Sequence, residues 1–187
     1  MCDVTEPNEP KPLGERLDSQ TGKVWAVAFS PDGQLLAAVG RSPAVGSEIM
    51  VRDVATGRLR TTFAGAGAVA FAPDGRTVAF GGEDGVVLRD LDTGRQRLAL
   101  GARPDALAFA PDGLTLAAAG GSEGGVALWQ VATGQELFPL KFFYPVRSLA
   151  FAPDGLTLAV GSGDRDENEG AVLLRAGTES RAGARIP

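Results

Sequence analysis

The sequence predicts an all-β fold made of four similar antiparallel sheets, and three observations support this prediction. The tripeptide Pro-Asp-Gly occurs four times at intervals of about 40 residues, at 31–33, 73–75, 111–113 and 153–155. Large and small residues alternate ahead of each tripeptide, which is the period of a β-strand. Glycine is frequent, with 26 residues among 187, and this suits a chain that makes many tight turns.

Each tripeptide lies at the centre of a predicted β-hairpin. Proline sets the dihedral angle of the second position of a type I turn, aspartate tolerates the third position, and glycine adopts the left-handed conformation that follows. The four hairpins read VAFSPDGQLLAAVG, VAFAPDGRTVAFGG, LAFAPDGLTLAAAG and LAFAPDGLTLAVGS (27–40, 69–82, 107–120 and 149–162). Both faces of these strands are apolar, so we expect the sheets to stack on one another.

Two more strands are predicted after most of the hairpins. Third strands are expected at 48–54, 85–91, 125–131 and 170–176, and fourth strands at 58–64, 95–101 and 135–141. Four antiparallel strands in about 40 residues are typical of a β-propeller blade. We therefore predict a β-propeller of about four four-stranded antiparallel blades over residues 12–176, as a closed small ring or a partial propeller. Residues 1–11 and 177–187 are expected to be a disordered and a flexible tail.

The four copies resemble WD repeats, a family of β-propellers, through the pattern VAFSPDG, LLAAVG and VRDVATG. The family's Trp-Asp dipeptide is absent, and its place is taken by Arg52-Asp53, Arg89-Asp90, Trp129-Gln130 and Leu174-Arg175. Gln20 stands where the family has a histidine of a hydrogen-bond network, and only Asp84 fits the aspartate of that network. We therefore expect apolar stacking to hold the blades together, with buried polar networks in a minor role.

Four blades leave unpaired edges, and an end blade would leave an apolar face in water. No good fourth strand follows 170–176, whereas PLGERLD at 12–18 resembles one. We expect Pro12–Asp18 to pair with Gly170–Ala176, either closing a ring within one chain or joining two chains into an eight-bladed homodimer. The alternative is a fragment or module of a longer propeller or assembly, stable only with a partner.

Composition argues against several classes of function. With no histidine, the chain has no Ser-His-Asp or Cys-His catalytic group and no imidazole metal ligand. The net charge of −5 argues against binding to nucleic acid or to an anionic membrane. The single Cys2 cannot form an internal disulfide, and no secretory signal or membrane span is apparent, so we expect a cytoplasmic protein without cofactors.

The loops between the second and third strands, with the connections between blades, are predicted to share an acidic rim. They contain eight acids against two bases, namely Glu48, Glu83, Asp84, Glu123, Asp164, Asp166, Glu167 and Glu169 against Arg41 and Arg165. The resemblance implies that this rim binds a protein or peptide, and the charge favours a basic partner. The alternative is that these acids only keep the loops solvated.

An aromatic cluster, Phe142, Phe143 and Tyr144, lies beside this rim and has two interpretations. Exposed aromatic side chains often dominate the binding energy of interfaces, but these could equally fill the gap under the last blade. Trp25 has the same two interpretations, with packing favoured, and Trp129 is expected to pack. The candidate partner-binding residues are therefore Phe142, Phe143, Tyr144, Glu83, Asp84, Glu123 and Arg41.

The sequence gives weaker support to two other functions, calcium binding and catalysis. Asp164, Asp166 and Asn168 alternate as in the start of a calcium loop, but Arg165 intervenes and no bidentate glutamate follows at the expected distance. No pair of acids at a recognisable spacing marks a catalytic centre. We therefore predict no metal site and no catalytic residues, and the leading hypothesis is a non-catalytic protein-interaction scaffold.

Overall fold

The computed structural model contains seventeen β-strands, and no helix occurs in the part of the chain that it describes. The described residues are 2–3, 11–12, 23–42, 46–82, 85–100, 104–120, 125–142, 144–163 and 171–175. Fifteen of the strands form four consecutive antiparallel sheets, which we call blades 1 to 4. Every third and fourth strand expected from the repeats is present, so the predicted all-β fold is confirmed.

Within each blade the strands follow one another in chain order, each paired with the next. Blade 1 consists of β3 (Lys23–Phe29), β4 (Leu35–Ser42), β5 (Gly46–Asp53) and β6 (Leu59–Ala64). Blade 2 consists of β7 (Ala66–Phe71), β8 (Thr77–Gly82), β9 (Gly85–Asp90) and β10 (Gln96–Leu100). Blade 3 consists of β11 (Ala106–Phe109), β12 (Thr115–Gly120), β13 (Gly125–Gln130) and β14 (Glu136–Lys141). Blade 4 has three described strands, β15 (Val146–Phe151), β16 (Thr157–Ser162) and β17 (Ala171–Arg175).

The Pro-Asp-Gly turns have the backbone that their sequence predicts. The glycine of each turn has a positive φ, +70° at Gly33 and +67° at Gly75, for example. The aspartate has a further role, because its carboxylate accepts a hydrogen bond from the backbone N–H two residues later, as Asp32 does from Gln34 at 3.0 Å. This contact satisfies a donor that the turn leaves free.

The two turns of a blade lie at the same rim and are bonded to each other. The backbone N–H of Val54, after β5, donates to the carbonyl of Gln34 at 2.8 Å, and Leu91 and Val131 make the corresponding bonds in blades 2 and 3. The second strands therefore end, and the third strands begin, at the opposite rim. The loops that join them lie outside the described residues.

The blades stack face to face, and each junction contains its own apolar cluster. Blade 1 packs Ala37, Val39 and Ile49 against Phe71 and Phe80 of blade 2. The junction of blades 2 and 3 contains Ala79, Val86, Leu88, Leu116 and Ala118, and that of blades 3 and 4 contains Ala117, Ala119, Val126, Leu158 and Val160. The innermost strands are in contact in the order β3, β7, β11, β15. The expectation of apolar stacking between blades is confirmed.

The N-terminal segment differs from its predicted pairing where it is described. Pro12 of β2 (Lys11–Pro12) is paired with Cys2 of β1 (Cys2–Asp3) and not with β17. Pairing within one short loop costs less chain entropy than pairing with a strand at the far end of the chain. The rest of the predicted fourth strand, 13–18, lies outside the described residues.

Candidate functional site

The rim that carries the Pro-Asp-Gly turns contains carboxylates that already serve the turns. Ser30 donates a side-chain hydrogen bond to Asp32 at 2.6 Å, and this bond, followed by the one from the Gln34 backbone, lowers the pKa of Asp32. The Thr56 hydroxyl and then the Thr56 backbone N–H lower the pKa of Asp53 in the same way, each at 2.8 Å. Both carboxyl groups are thus held ionised by turn geometry.

A depression of about 880 Å³ lies on the same rim, beside the two turns of blade 2. It is lined by Asp74, Arg76, Asp90, Thr93, Arg95 and Gln96. The carboxylate of Asp74 accepts bonds from Arg76 and Thr77, and that of Asp90 accepts bonds from Thr93. The lining carries both acidic and basic side chains, and both of its acids already accept hydrogen bonds within the turns. We therefore interpret this depression as a consequence of the turn structure.

Of the candidate partner-binding residues that were predicted for the opposite rim, the structure describes three. Arg41 is exposed at the end of β4, next to the loop of blade 1. Phe142 and Tyr144 are half-buried in the connection between blades 3 and 4, and Phe142 packs against the apolar cluster of that junction. Phe142 thus has the packing position that was one of its two interpretations.

The other candidates, Glu83, Asp84, Glu123 and Phe143, lie outside the described residues, as do Asp164, Asp166 and Asn168 of the calcium-like stretch. In the ranges that the structure covers, no group of three or more acids or cysteines is arranged to hold a metal ion. No helix among the described residues is long and apolar enough to span a membrane.

Trp129 packs as expected, in the junction between blades 2 and 3. Its indole Nε1 is buried and has no hydrogen-bond partner, which agrees with the minor role expected for polar networks. Arg89, at the corresponding place in blade 2, is also partly buried, and its guanidinium lies 4.7 Å from the centre of the Phe63 ring in blade 1. This cation–π contact compensates for part of the hydration that Arg89 loses.

An exposed apolar surface lies on blade 1, on the side that points away from blade 2. We call this surface the head face and define it by Val27 and Phe29 of β3, with Leu36 and Ala38 beside them on β4. Val27 is 61% exposed and Phe29 is 51% exposed, whereas Val69 and Phe71, at the same positions of blade 2, are each 8% exposed. Val24 and Trp25, at the start of β3, are exposed as well, so the packing favoured for Trp25 is not observed.

The opposite end of the stack has a different surface. The outer side of blade 4, which we call the tail face, carries Ser148 and Ala150 of β15 and Ala159 and Gly161 of β16. Ser148 and Ala150 are exposed and Ala159 is half-buried. The corresponding alanines of β4, β8 and β12, Ala37, Ala79 and Ala117, are all 0% exposed. Among the described residues, no junction joins blade 4 to blade 1.

Two segments of the chain, 11–42 and 139–166, match the family model described as "WD domain, G-beta repeat". These two segments are similar to WD40 repeats. Each match begins ahead of an innermost strand, β3 in the first case and β15 in the second. By sequence, the chain matches no curated protein.

Among solved structures, the chain is similar to the hydrazine synthase of Kuenenia stuttgartiensis. The two share 18% sequence identity with a TM-score of 0.70, over 88% of this chain and 49% of that chain. At this identity the likeness concerns the fold, and this chain spans about half the length of the other.

The head face was not identified residue by residue from the sequence. The hairpin 27–40 has the same apolar pattern as the other three hairpins, so nothing within it distinguishes an exposed Phe29 from a buried Phe71. The available signal is the general expectation that an end blade leaves an apolar face in water. An exposed face at an end blade could be expected on that ground, but its residues could not be named.

Proposed function

We propose that this chain is a non-catalytic protein-interaction scaffold and that the head face of blade 1 is part of its binding surface. WD40 repeats generally mediate contacts between proteins, and two segments of the chain match them. The observation that carries the proposal is the exposure of Val27 and Phe29, which are the counterparts of fully packed residues in blade 2.

The chemistry of the head face suits a protein partner. Monomeric proteins rarely leave a contiguous apolar surface in water unless it binds something, and aromatic side chains are enriched among the residues that dominate binding energy. Phe29 and Trp25 provide two such side chains on one strand, and Arg41 and Lys23 lie exposed at one end of it. An apolar centre with a polar border is the usual anatomy of a protein interface.

The acidic rim is proposed as a second contact area, for a basic segment of the partner. This part of the proposal rests on the excess of acids in the rim loops, with Arg41 and the aromatic cluster at their border. Complementary charge would mainly accelerate association, so the association rate should fall as salt is added. A cytoplasmic location and the lack of nucleic-acid binding also belong to the proposal.

A capture experiment tests the scaffold function. Tagged wild-type chain and the double variant Val27→Ser, Phe29→Ser would be exposed to extract of the source cell, with a cross-linker placed on β3. The matched control is Leu114→Ser, Leu156→Ser, which removes two exposed apolar side chains from the turn rim. We expect a protein that cross-links to β3 in the wild type and the control and is lost in the double variant. Equal capture by all three chains, or no capture, contradicts the proposal.

A further inference from the structure

The three junctions within the chain repeat one pattern of contact. In each, the face that carries the phenylalanine of one blade's innermost strand packs on the alanine face of the blade before it. Phe71 packs in this way on blade 1, and Phe109 and Phe151 pack on blades 2 and 3. The face that carries the phenylalanine therefore meets alanines near the centre of each junction, and larger side chains such as Ile49 and Leu88 flank them. Such a match of shape is what close packing requires.

This pattern leaves one face of each kind without a partner among the described residues. Among the described residues, the head face, which carries Phe29, meets no alanine surface, and the tail face, which carries Ala150 and Ala159, meets no phenylalanine. Their exposure agrees with this arrangement, since Phe29 is 51% exposed and Ala37, Ala79 and Ala117 of the occupied faces are fully buried. The two free faces are complementary in the same sense as the three occupied pairs.

We infer that the head face of one copy packs against the tail face of a second copy of this chain. This inference rests on the proposed function and names the partner of the head face. Two copies joined at both ends would form eight blades, with every bulky face on a small-residue face. The contact joins two different surfaces, so it is heterologous, and the assembly closes only if the rotation between copies allows it.

The composition of the two faces favours this partner over a symmetric one. A contact between two head faces would place Phe29 and Val27 of one copy on the same residues of the other, where both sides are bulky. In the head-to-tail contact, Val27 and Phe29 meet Ser148, Ala150 and Ala159. None of these three residues is charged, so burying them costs no desolvation of a charge. Shape and desolvation therefore point to the same partner.

The mass of the purified chain in solution, measured by sedimentation equilibrium over a wide range of concentration, tests the inference. One chain has a mass of 19.2 kDa, and we expect a species of twice that mass that dissociates on dilution. Val27→Arg blocks the head face and Ala150→Arg blocks the tail face, so each variant alone should remain monomeric. Leu114→Arg, on the turn rim, is the control and should associate like the wild type.

Mixing the two blocked variants gives the sharpest result. The Ala150→Arg chain keeps a native head face and the Val27→Arg chain keeps a native tail face, so together they should form a 1:1 complex that neither forms alone. Such a complex also shows that both variants are folded. A monomeric wild type, an assembly unaffected by either variant, or a mixture that stays monomeric overturns the inference.

These outcomes separate the inference from the proposed function. A wild type that is monomeric when pure, but cross-links through β3 to another protein in the extract, rejects the second copy as partner and leaves the scaffold function intact. A chain that associates with itself but captures no other protein supports the head-to-tail contact and contradicts the part of the proposed function that assigns a different protein to the scaffold.

Discussion

Replacing Phe80 by alanine tests the stacking of blades 1 and 2. Phe80 is 1% exposed, and its ring stacks on that of Phe63 with 5.6 Å between centroids and 5° between planes. A buried phenylalanine removes about 200 Å² from water, worth about 5 kcal/mol at about 25 cal/mol per Å², and alanine retains part of this. The cavity and the lost ring contact add to the cost, so we expect the free energy of unfolding to fall by about 4 kcal/mol.

Urea and thermal unfolding, followed by circular dichroism, measure this loss. For a chain of this size, about 4 kcal/mol corresponds to a decrease in Tm of about 8–16 °C. Phe138→Ala is the matched control, because Phe138 is 68% exposed on β14, and its cost should stay within about 0.5 kcal/mol. If the two variants lose the same stability, Phe80 is not packed between two blades and the stacked arrangement is refuted.

The remaining predictions concern the turns. Gly75→Ala places a side chain on a backbone with φ of +67°, so the free energy of unfolding in urea should fall by about 1–2 kcal/mol. Gly125→Ala, on ordinary strand backbone, is the control and should lower it less. Equal losses contradict the turn geometry. Hydrogen bonds from Thr56 lower the pKa of Asp53 below its ordinary value of 3.8. The ionised carboxylate therefore contributes its full stabilisation above pH 3.8, and this stabilisation is lost as the pH falls through the lowered pKa. Asp53→Asn keeps the acceptor oxygen but does not titrate, so its unfolding free energy should decline less steeply in acid than that of the wild type. Identical pH profiles contradict the role of Thr56.

The repeating parts of the fold were predictable from the sequence because they are determined locally. Pro-Asp-Gly specifies a turn through three neighbouring residues, and the glycines at 33 and 75 have the left-handed backbone that this motif requires. Alternation of large and small residues then fixes which side of each strand is bulky. The strands and the stacking of the blades follow from those two features.

Whether the face of a blade is exposed or buried depends on which blade packs next to it. The residue pattern within one hairpin does not encode this. Phe29 and Phe71 occupy the same place in nearly identical hairpins, yet one is exposed and the other is buried, because among the described residues Phe71 packs on another blade and Phe29 does not. Phe142 shows the same limit, since the sequence allowed both an interface and a core position for it, and it packs in the junction of blades 3 and 4.

The most direct test of this account is a comparison of thiol labelling at two equivalent positions. In a Cys2→Ser background, Val27→Cys and Val69→Cys each place one thiol at the same point of a hairpin. Labelling is followed at a concentration at which sedimentation finds the chain to be monomeric. The account predicts rapid labelling at position 27, which is 61% exposed, and strong protection at position 69, which is 8% exposed. Equal rates at the two positions would contradict the stacking of blades with an open head face.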